Sequence, residues 1–109
     1  MVLDQQEHKK VLHLTLHKKW FDQIALGIKI EEYRDVKPYW SKRLDNKEYD
    51  EIYFRNGYSK TSPFMIVEWK GCERKGDQYI IHLGKIIKIE RWDKAKTNLS
   101  EVKRSINYV

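Results

Sequence analysis

The feature that most constrains the fold of this chain is the stretch Gly27–Asp35, with the sequence GIKIEEYRD. It begins with the glycine that ends an amphipathic segment, and it then alternates as a β-strand does. One face of the predicted strand carries Ile28, Ile30, Glu32 and Arg34, and the other carries Lys29, Glu31 and Tyr33. A core-facing row that begins apolar and ends in a carboxylate and a guanidinium is typical of a cavity rim or of a local ion pair.

The segment before Gly27 predicts a strand followed by a helix. Residues 11–16 alternate, with leucines on one face, which is typical of a strand. The period then changes, because Trp20, Phe21 and Ile24 recur at helical spacing. Gly27 occupies the position at which a left-handed residue commonly ends a helix.

The rest of the chain predicts a second helix and several more strands. Pro38 suits the first turn of that helix, whose buried face would carry Tyr39, Trp40 and Leu44. The predicted strands cover residues 51–55, 64–70 and 78–90, the last bent at Gly84, and a final strand could include Ile106 and Tyr108. Twisted antiparallel strands with a bulge tend to curl. The predicted fold class is therefore α+β: a small, mostly antiparallel β-barrel of five or six strands, with two short helices packed alongside.

Length and composition predict one small domain. The chain has 109 residues, of which 40% are hydrophobic and 35% are charged, and we expect a single domain over residues 1–109 with a flexible tail at residues 1–9. The sequence shows no signal peptide and no apolar run of membrane-spanning length. Cys72 is the only cysteine, so an intrachain disulfide is excluded. These features predict a cytoplasmic protein without membrane association, and we expect no cofactor and no metal.

The charge balance favours an anionic partner. Lysine and arginine number 22 against 16 acidic residues, a formal net charge of +6. Nucleic acid is the first candidate, although a charge of this size is also ordinary for solubility. Seven tyrosines, four tryptophans and three phenylalanines are many for this length. Most should lie in the core, and one or two could stack on unpaired bases.

Four residues of the opening stretch resemble the signature of a known family. Gly27, Lys29, Glu32 and Arg34 match the G-x-K-x-x-E-x-R pattern of the ASCH domain, a relative of the RNA-binding PUA domain. The resemblance covers about residues 11–90. It extends to Pro38-Tyr39-Trp40 and to the segment His82-Leu83-Gly84-Lys85-Ile86.

The resemblance implies a PUA-like barrel that binds RNA or a nucleotide in a cleft beside the signature. Some similar proteins are reported as ribonucleases. A subgroup hydrolyses the amide of N4-acetylcytidine, using a threonine nucleophile with a lysine and a glutamate. Lys29 matches that lysine, but Glu32 occupies the position of the threonine, which argues against the amide hydrolysis.

The residues themselves suggest how a nucleotide could be held. Glu32 could accept hydrogen bonds from a base edge, and the Arg34 guanidinium suits a base edge or a phosphate. Lys29 reaches the same pocket only if the strand bulges or its end is open. The stacking candidates are Tyr33, Tyr39, Trp40 and Tyr58, and the phosphate-contacting candidates are Lys42, Arg43 and Lys60.

Three hypotheses follow for the function. The leading one is a binding module for single-stranded RNA or a nucleoside, including a modified one, at a cleft beside Glu32 and Arg34. The second is an RNA-processing enzyme in which Lys29 and Glu32 share proton transfer. The third is an interaction scaffold without ligand, in which Glu32 and Arg34 only pair with each other.

Trp20, Phe21 and Trp69 are assigned to the core.

Overall fold

The computed structural model describes residues 8–97 of the chain. Their elements, in chain order, are β1 (Val11–Thr15), α1 (Lys18–Ala25), β2 (Glu31–Asp35), α2 (Pro38–Leu44), β3 (Glu51–Arg55), β4 (Phe64–Lys75), β5 (Gln78–Glu90) and a 3-10 turn (Lys94–Lys96). Most of the expected tail and the strand suggested for Ile106 and Tyr108 lie outside the described residues. Within residues 8–97, no helix is long and apolar enough to cross a bilayer.

The five strands form one mixed sheet in the order β1-β3-β4-β5-β2. β1 runs parallel to β3, and the other three pairings are antiparallel. Alternation along β1 buries Leu12 and Leu14 and leaves His13 and Thr15 exposed, as the sequence pattern predicts. The core thus lies on the concave side of the sheet.

The predicted α+β class with two helices is confirmed, but the sheet curls only into a half-barrel, so the predicted barrel is not closed. Closure would require the edge strands β1 and β2 to pair with each other, and within residues 8–97 each has a single strand neighbour. Helix α1 connects these two edges, and it contributes Phe21 and Ile24 to the core. Helix α1 therefore covers part of the apolar core, in the place where a sixth strand would lie in a closed barrel.

Irregular pairing between β4 and β5 bends the sheet. The register shifts three times, between Ile66 and Val67, Val67 and Trp69, and Trp69 and Cys72. Such bulges increase the local twist of a strand pair. Gly84 lies opposite the shifted part of β4, in agreement with the predicted bend. β4 is longer than predicted, and the strand continues through Gly71 to Lys75.

β2 begins three residues later than the alternation predicts. Gly27 adopts a φ of +79°, in the left-handed region that favours glycine, and it ends α1 as predicted. The backbone N–H groups of Ile28 and Lys29 then both donate to the carbonyl of Gln23, at 2.9 and 3.1 Å. Because the chain is held to the end of α1, Ile28 and Ile30 are exposed and do not extend the core-facing row.

The core joins the sheet to both helices. Tyr79 on β5 is 2% exposed, and its hydroxyl donates to Asp45 Oδ1 at 2.7 Å and lies 2.9 Å from Ser41 Oγ. This contact holds α2 against the sheet. The other buried apolar side chains include Leu12, Leu14, Leu16, Phe21, Ile24, Leu44, Ile52, Phe54, Met65, Val67, Trp69 and Ile81.

Candidate functional site

An open cleft of about 370 Å³ lies where the ends of β1 and β2 approach each other. We call it the Glu32 cleft. Its wall includes the β1–α1 junction, the end of β2 and the start of α2. The lining residues are Thr15, Leu16, His17, Trp20, Glu32, Tyr33, Arg34, Asp35 and Trp40.

The Glu32 carboxylate is the electrostatic centre of this cleft. Glu32 is 6% exposed, and its Oε2 accepts from Arg34 Nη2 at 2.6 Å and Arg34 Nε at 2.9 Å. Its Oε1 lies 3.6 Å from Lys29 Nζ, as an ion pair. A buried carboxylate needs such compensation, because desolvation disfavours its charge. Within residues 8–97, Oε1 accepts no hydrogen bond, which leaves it available to a donor on a ligand.

Lys29 lies with Glu32 and Arg34, although strict alternation would place it on the opposite face. It belongs to the connection between α1 and β2, where the rule of alternation does not apply. Its Nζ is 5.2 Å from the centre of the Trp20 ring and 5.1 Å from that of Tyr33. Two aromatic faces and one carboxylate therefore hold the ammonium group in place.

Arg34 connects the two edges of the half-barrel. Its Nη2 donates to the backbone carbonyl of Thr15, at the end of β1, at 3.3 Å. Its guanidinium carbon lies 4.9 Å from the centre of the Trp40 ring on α2. Arg34 thus contacts β1 and α2 while it pairs with Glu32, and this network fixes the floor of the cleft.

Trp20 and Trp40 present aromatic surface to the cleft. The assignment of Trp20 to the core is wrong, since its side chain is 36% exposed and lines the cleft. Phe21 and Trp69 are buried, as predicted. Trp20 lies three residues after His17, so the two share the cleft side of α1, while Phe21 faces the core. Spacing alone could not have separated the two aromatic residues, because Phe21 lies four residues after His17 and is buried.

Of the other stacking candidates, Tyr33 lines the Glu32 cleft, whereas Tyr39 and Tyr58 do not. The Tyr33 hydroxyl donates to Glu31, and this bond, with a smaller contribution from burial, raises the pKa of Tyr33. Tyr39 is exposed and packs edge-on against Trp40, with 4.7 Å between ring centres. Tyr58 is 92% exposed on the loop between β3 and β4 and does not line the Glu32 cleft.

The three phosphate-contacting candidates do not line the Glu32 cleft either. Arg43 lies over the ring of Tyr39, with 3.6 Å from its guanidinium carbon to the ring centre. Lys42 is exposed on α2, and Lys60 is exposed on the loop between β3 and β4. Contacts from these residues would require a ligand that extends beyond the cleft.

Two further groups bear on metal binding and on nucleophilic chemistry. His82 lies on the outer face of β5, where Nε2 is 2.7 Å from Glu73 and Nδ1 is 3.5 Å from Glu31. In the part of the chain that the structure describes, no three histidine, cysteine, aspartate or glutamate side chains are arranged so that they could hold one metal ion. Burial, with smaller contributions from nearby carboxylates, raises the pKa of the Cys72 thiol to about 11.

Native Cys72 should therefore react slowly with thiol reagents. Because the thiolate is the nucleophile, a pKa of about 11 in place of 9.0 lowers the reactive fraction at pH 8 by roughly 100-fold. We expect iodoacetamide to alkylate the folded protein roughly 100-fold more slowly than the protein unfolded in guanidinium. Equal rates in the two states would contradict this pKa.

Comparison with known proteins adds no assignment, since no family model and no curated protein sequence matches this chain.

Proposed function

We propose that the Glu32 cleft binds the base of an unpaired RNA nucleotide or of a free nucleoside. The observation that carries this proposal is the Glu32 carboxylate, which lies between Lys29 and Arg34 on the floor of an open cleft. Its Oε1 offers an acceptor, while the Arg34 guanidinium offers donors beside it. Base edges present complementary donors and acceptors in a plane.

The aromatic residues support a planar ligand. Trp20 and Trp40 both line the cleft, and every base has a face that can stack on an indole ring. Base stacking on an aromatic side chain typically contributes about 1–3 kcal/mol. Such a cleft suits an unpaired base, because a base within a duplex is not free to stack on protein.

The charge around the cleft supports an anionic ligand. Lys29 and Arg34 carry two positive charges against the single carboxylate between them. Asp35, which also lines the cleft, pairs with Lys37 at 3.7 Å. The net charge of the chain is +6, so approach of an RNA phosphate backbone is favoured and should weaken as salt rises. The resemblance to the ASCH signature points to the same class of ligand.

Binding is favoured over hydrolysis by the position of Glu32. Both oxygens of Glu32 face cations, and its chain position corresponds to the threonine nucleophile of the similar amidohydrolases. We therefore expect RNA to bind without cleavage. Product formation that disappears in a Glu32→Gln variant would instead favour the enzyme hypothesis.

The sharpest test uses neutral ribonucleosides, since their binding does not depend on phosphate charge. We expect Glu32→Gln to weaken the binding of the preferred nucleoside about tenfold, the effect of one lost base contact. Trp20 and Trp40 line the cleft, so intrinsic fluorescence can follow titration with adenosine, cytidine, guanosine and uridine.

Glu31→Gln is the matched control for this test. Glu31 lies on the other face of β2 and pairs with His82, so the same charge is removed outside the cleft. Its nucleoside affinity should equal that of the wild type, with thermal melts confirming that all variants are folded. If no nucleoside binds, or if the two variants behave alike, the proposed site is wrong.

A further inference from the structure

We propose that the ligand is an oligonucleotide and that a second cleft, around Trp92, holds the nucleotide next to the one in the Glu32 cleft. This inference rests on the proposed function and extends it from one base to a strand. The second cleft has a volume of about 190 Å³. We call it the Trp92 cleft, and its lining includes Lys18, Phe21, Asn56, Pro63, Arg91 and Trp92.

The two clefts lie on neighbouring faces of the start of α1. His17 and Trp20 line the Glu32 cleft, whereas Lys18 and Phe21 line the Trp92 cleft. Side chains anchor the backbone of this junction from both sides. Arg34 donates to the carbonyl of Thr15, and Asn56 Nδ2 donates to the carbonyl of the next residue, Leu16, at 2.9 Å. A strand of RNA could therefore pass from one cleft to the other across a single turn of helix.

The first turn of α1, which has residues of both clefts on it, contains no acidic residue, and no side chain caps its first N–H groups. The amides of Lys18 and Lys19 have no acceptor within residues 8–97, as is usual in the first turn of a helix. A phosphate crossing there would meet open donors and the positive end of the helix dipole.

The Trp92 cleft combines an apolar floor with a rim that is mainly cationic, on which Asp93 is the one exposed carboxylate. Its one buried carboxylate, Asp22, is already neutralised by Lys18, which lies 2.6 Å from Oδ2. Lys96 lines the rim and has no carboxylate partner within residues 8–97. Trp92, which is partly buried, supplies aromatic surface beneath these cations, and Phe21, only 1% exposed, closes the floor. Such a site suits a sugar and base below, with a phosphate above.

Arg91 is held at the rim in an uncommon backbone conformation. Its φ is +56°, a left-handed value that few residues other than glycine, asparagine and aspartate adopt. Its Nε donates to the carbonyl of Ser62 at 2.9 Å, and its Nη1 is 3.1 Å from Glu90 Oε1. Residues held in this way are concentrated at binding sites, where the rest of the fold maintains them. Arg91 is thus positioned in advance for a phosphate.

The test compares a ribonucleoside 5′-monophosphate with a trinucleotide of the same base. Wild-type protein should bind the trinucleotide about tenfold more tightly, from one more stacked base and its phosphates. The double variant Arg91→Gln/Lys96→Gln should lose most of that gain and keep the affinity for the monophosphate. For the trinucleotide, the slope of the logarithm of the binding constant against the logarithm of the salt concentration should become shallower by about 1.4. This is the value for two lost phosphate contacts on a single strand.

The double variant Lys47→Gln/Lys85→Gln is the control for net charge. Both lysines are exposed and line neither cleft, so this variant should keep the preference for the trinucleotide. If wild-type protein binds the two probes with equal affinity, the proposal that the Trp92 cleft holds a second nucleotide is wrong, while the proposal of nucleoside binding in the Glu32 cleft still stands. Equal losses in the two double variants also overturn the proposal for the Trp92 cleft. If neither probe binds, the proposed function itself fails and the inference fails with it.

Discussion

Replacing Arg34 with alanine is expected to lower the free energy of unfolding by about 3 kcal/mol, the low end of the range for a broken buried ion pair. Arg34 supplies both hydrogen bonds to Glu32 Oε2, and Glu32 is buried. Lys29 remains 3.6 Å from Oε1, so part of the carboxylate charge stays compensated. Urea unfolding, followed by fluorescence, measures the loss.

The origin of this loss can be tested with a double-mutant cycle. If the cost of Arg34→Ala comes from an uncompensated Glu32 carboxylate, the same change should cost much less in a Glu32→Gln background. Arg43→Ala is the matched control, since Arg43 contacts the Tyr39 ring and has no carboxylate partner within residues 8–97. A loss that is independent of Glu32 would contradict the ion-pair explanation.

The second large effect is expected for Asp22→Ala, a loss of about 2–3 kcal/mol. Asp22 is 3% exposed and lies on α1. Its Oδ1 accepts from Trp92 Nε1 at 2.9 Å, and its Oδ2 accepts from Lys18 Nζ at 2.6 Å. The substitution leaves the partly buried indole N–H without its acceptor and removes the hydrogen bond between α1 and the segment after β5.

Asp35→Ala is the control for Asp22→Ala, because it removes a carboxylate of the same kind from an exposed position. Asp35 has a single ion pair within residues 8–97, with Lys37 at 3.7 Å, and exposed pairs contribute little to stability. We expect its midpoint in urea to stay close to that of the wild type. If both aspartate variants unfold at similar urea concentrations, Asp22 does not hold α1 to the segment after β5 as described.

Local patterns in the sequence predicted most element positions. Helix α1, its end at Gly27 and strand β5 over residues 78–90 agree with the structure, because each follows from a short-range period or a glycine. The shared face of Glu32 and Arg34 also follows from alternation. Their direct contact in the structure agrees with that expectation.

The features that the sequence did not predict depend on contacts between distant residues. The half-barrel arises because β1 pairs in parallel with β3 and leaves β2 at the other edge, an order that alternation does not encode. Lys29 pairs with Glu32, although it is not among the residues that line the cleft, because the Gln23 carbonyl holds the chain after α1 and delays β2. Trp20 was assigned to the core from its helical spacing, but the buried turn of α1 covers residues 21–24, and Trp20 precedes it and lines the cleft.

The hydrogen bond from Arg34 to the Thr15 carbonyl gives the cleft a mechanical role. This hydrogen bond crosses the gap between β1 and β2, which do not pair with each other in the sheet. The width of that gap and the shape of the cleft therefore change together. A ligand that contacts both ends would act as a clamp across the gap. At a concentration of one hundred times its Kd, such a ligand would add about 2.7 kcal/mol to the stability of the fold. Slower amide exchange at the ends of β1 and β2 would report this clamping, even for a ligand that leaves the rest of the sheet unchanged.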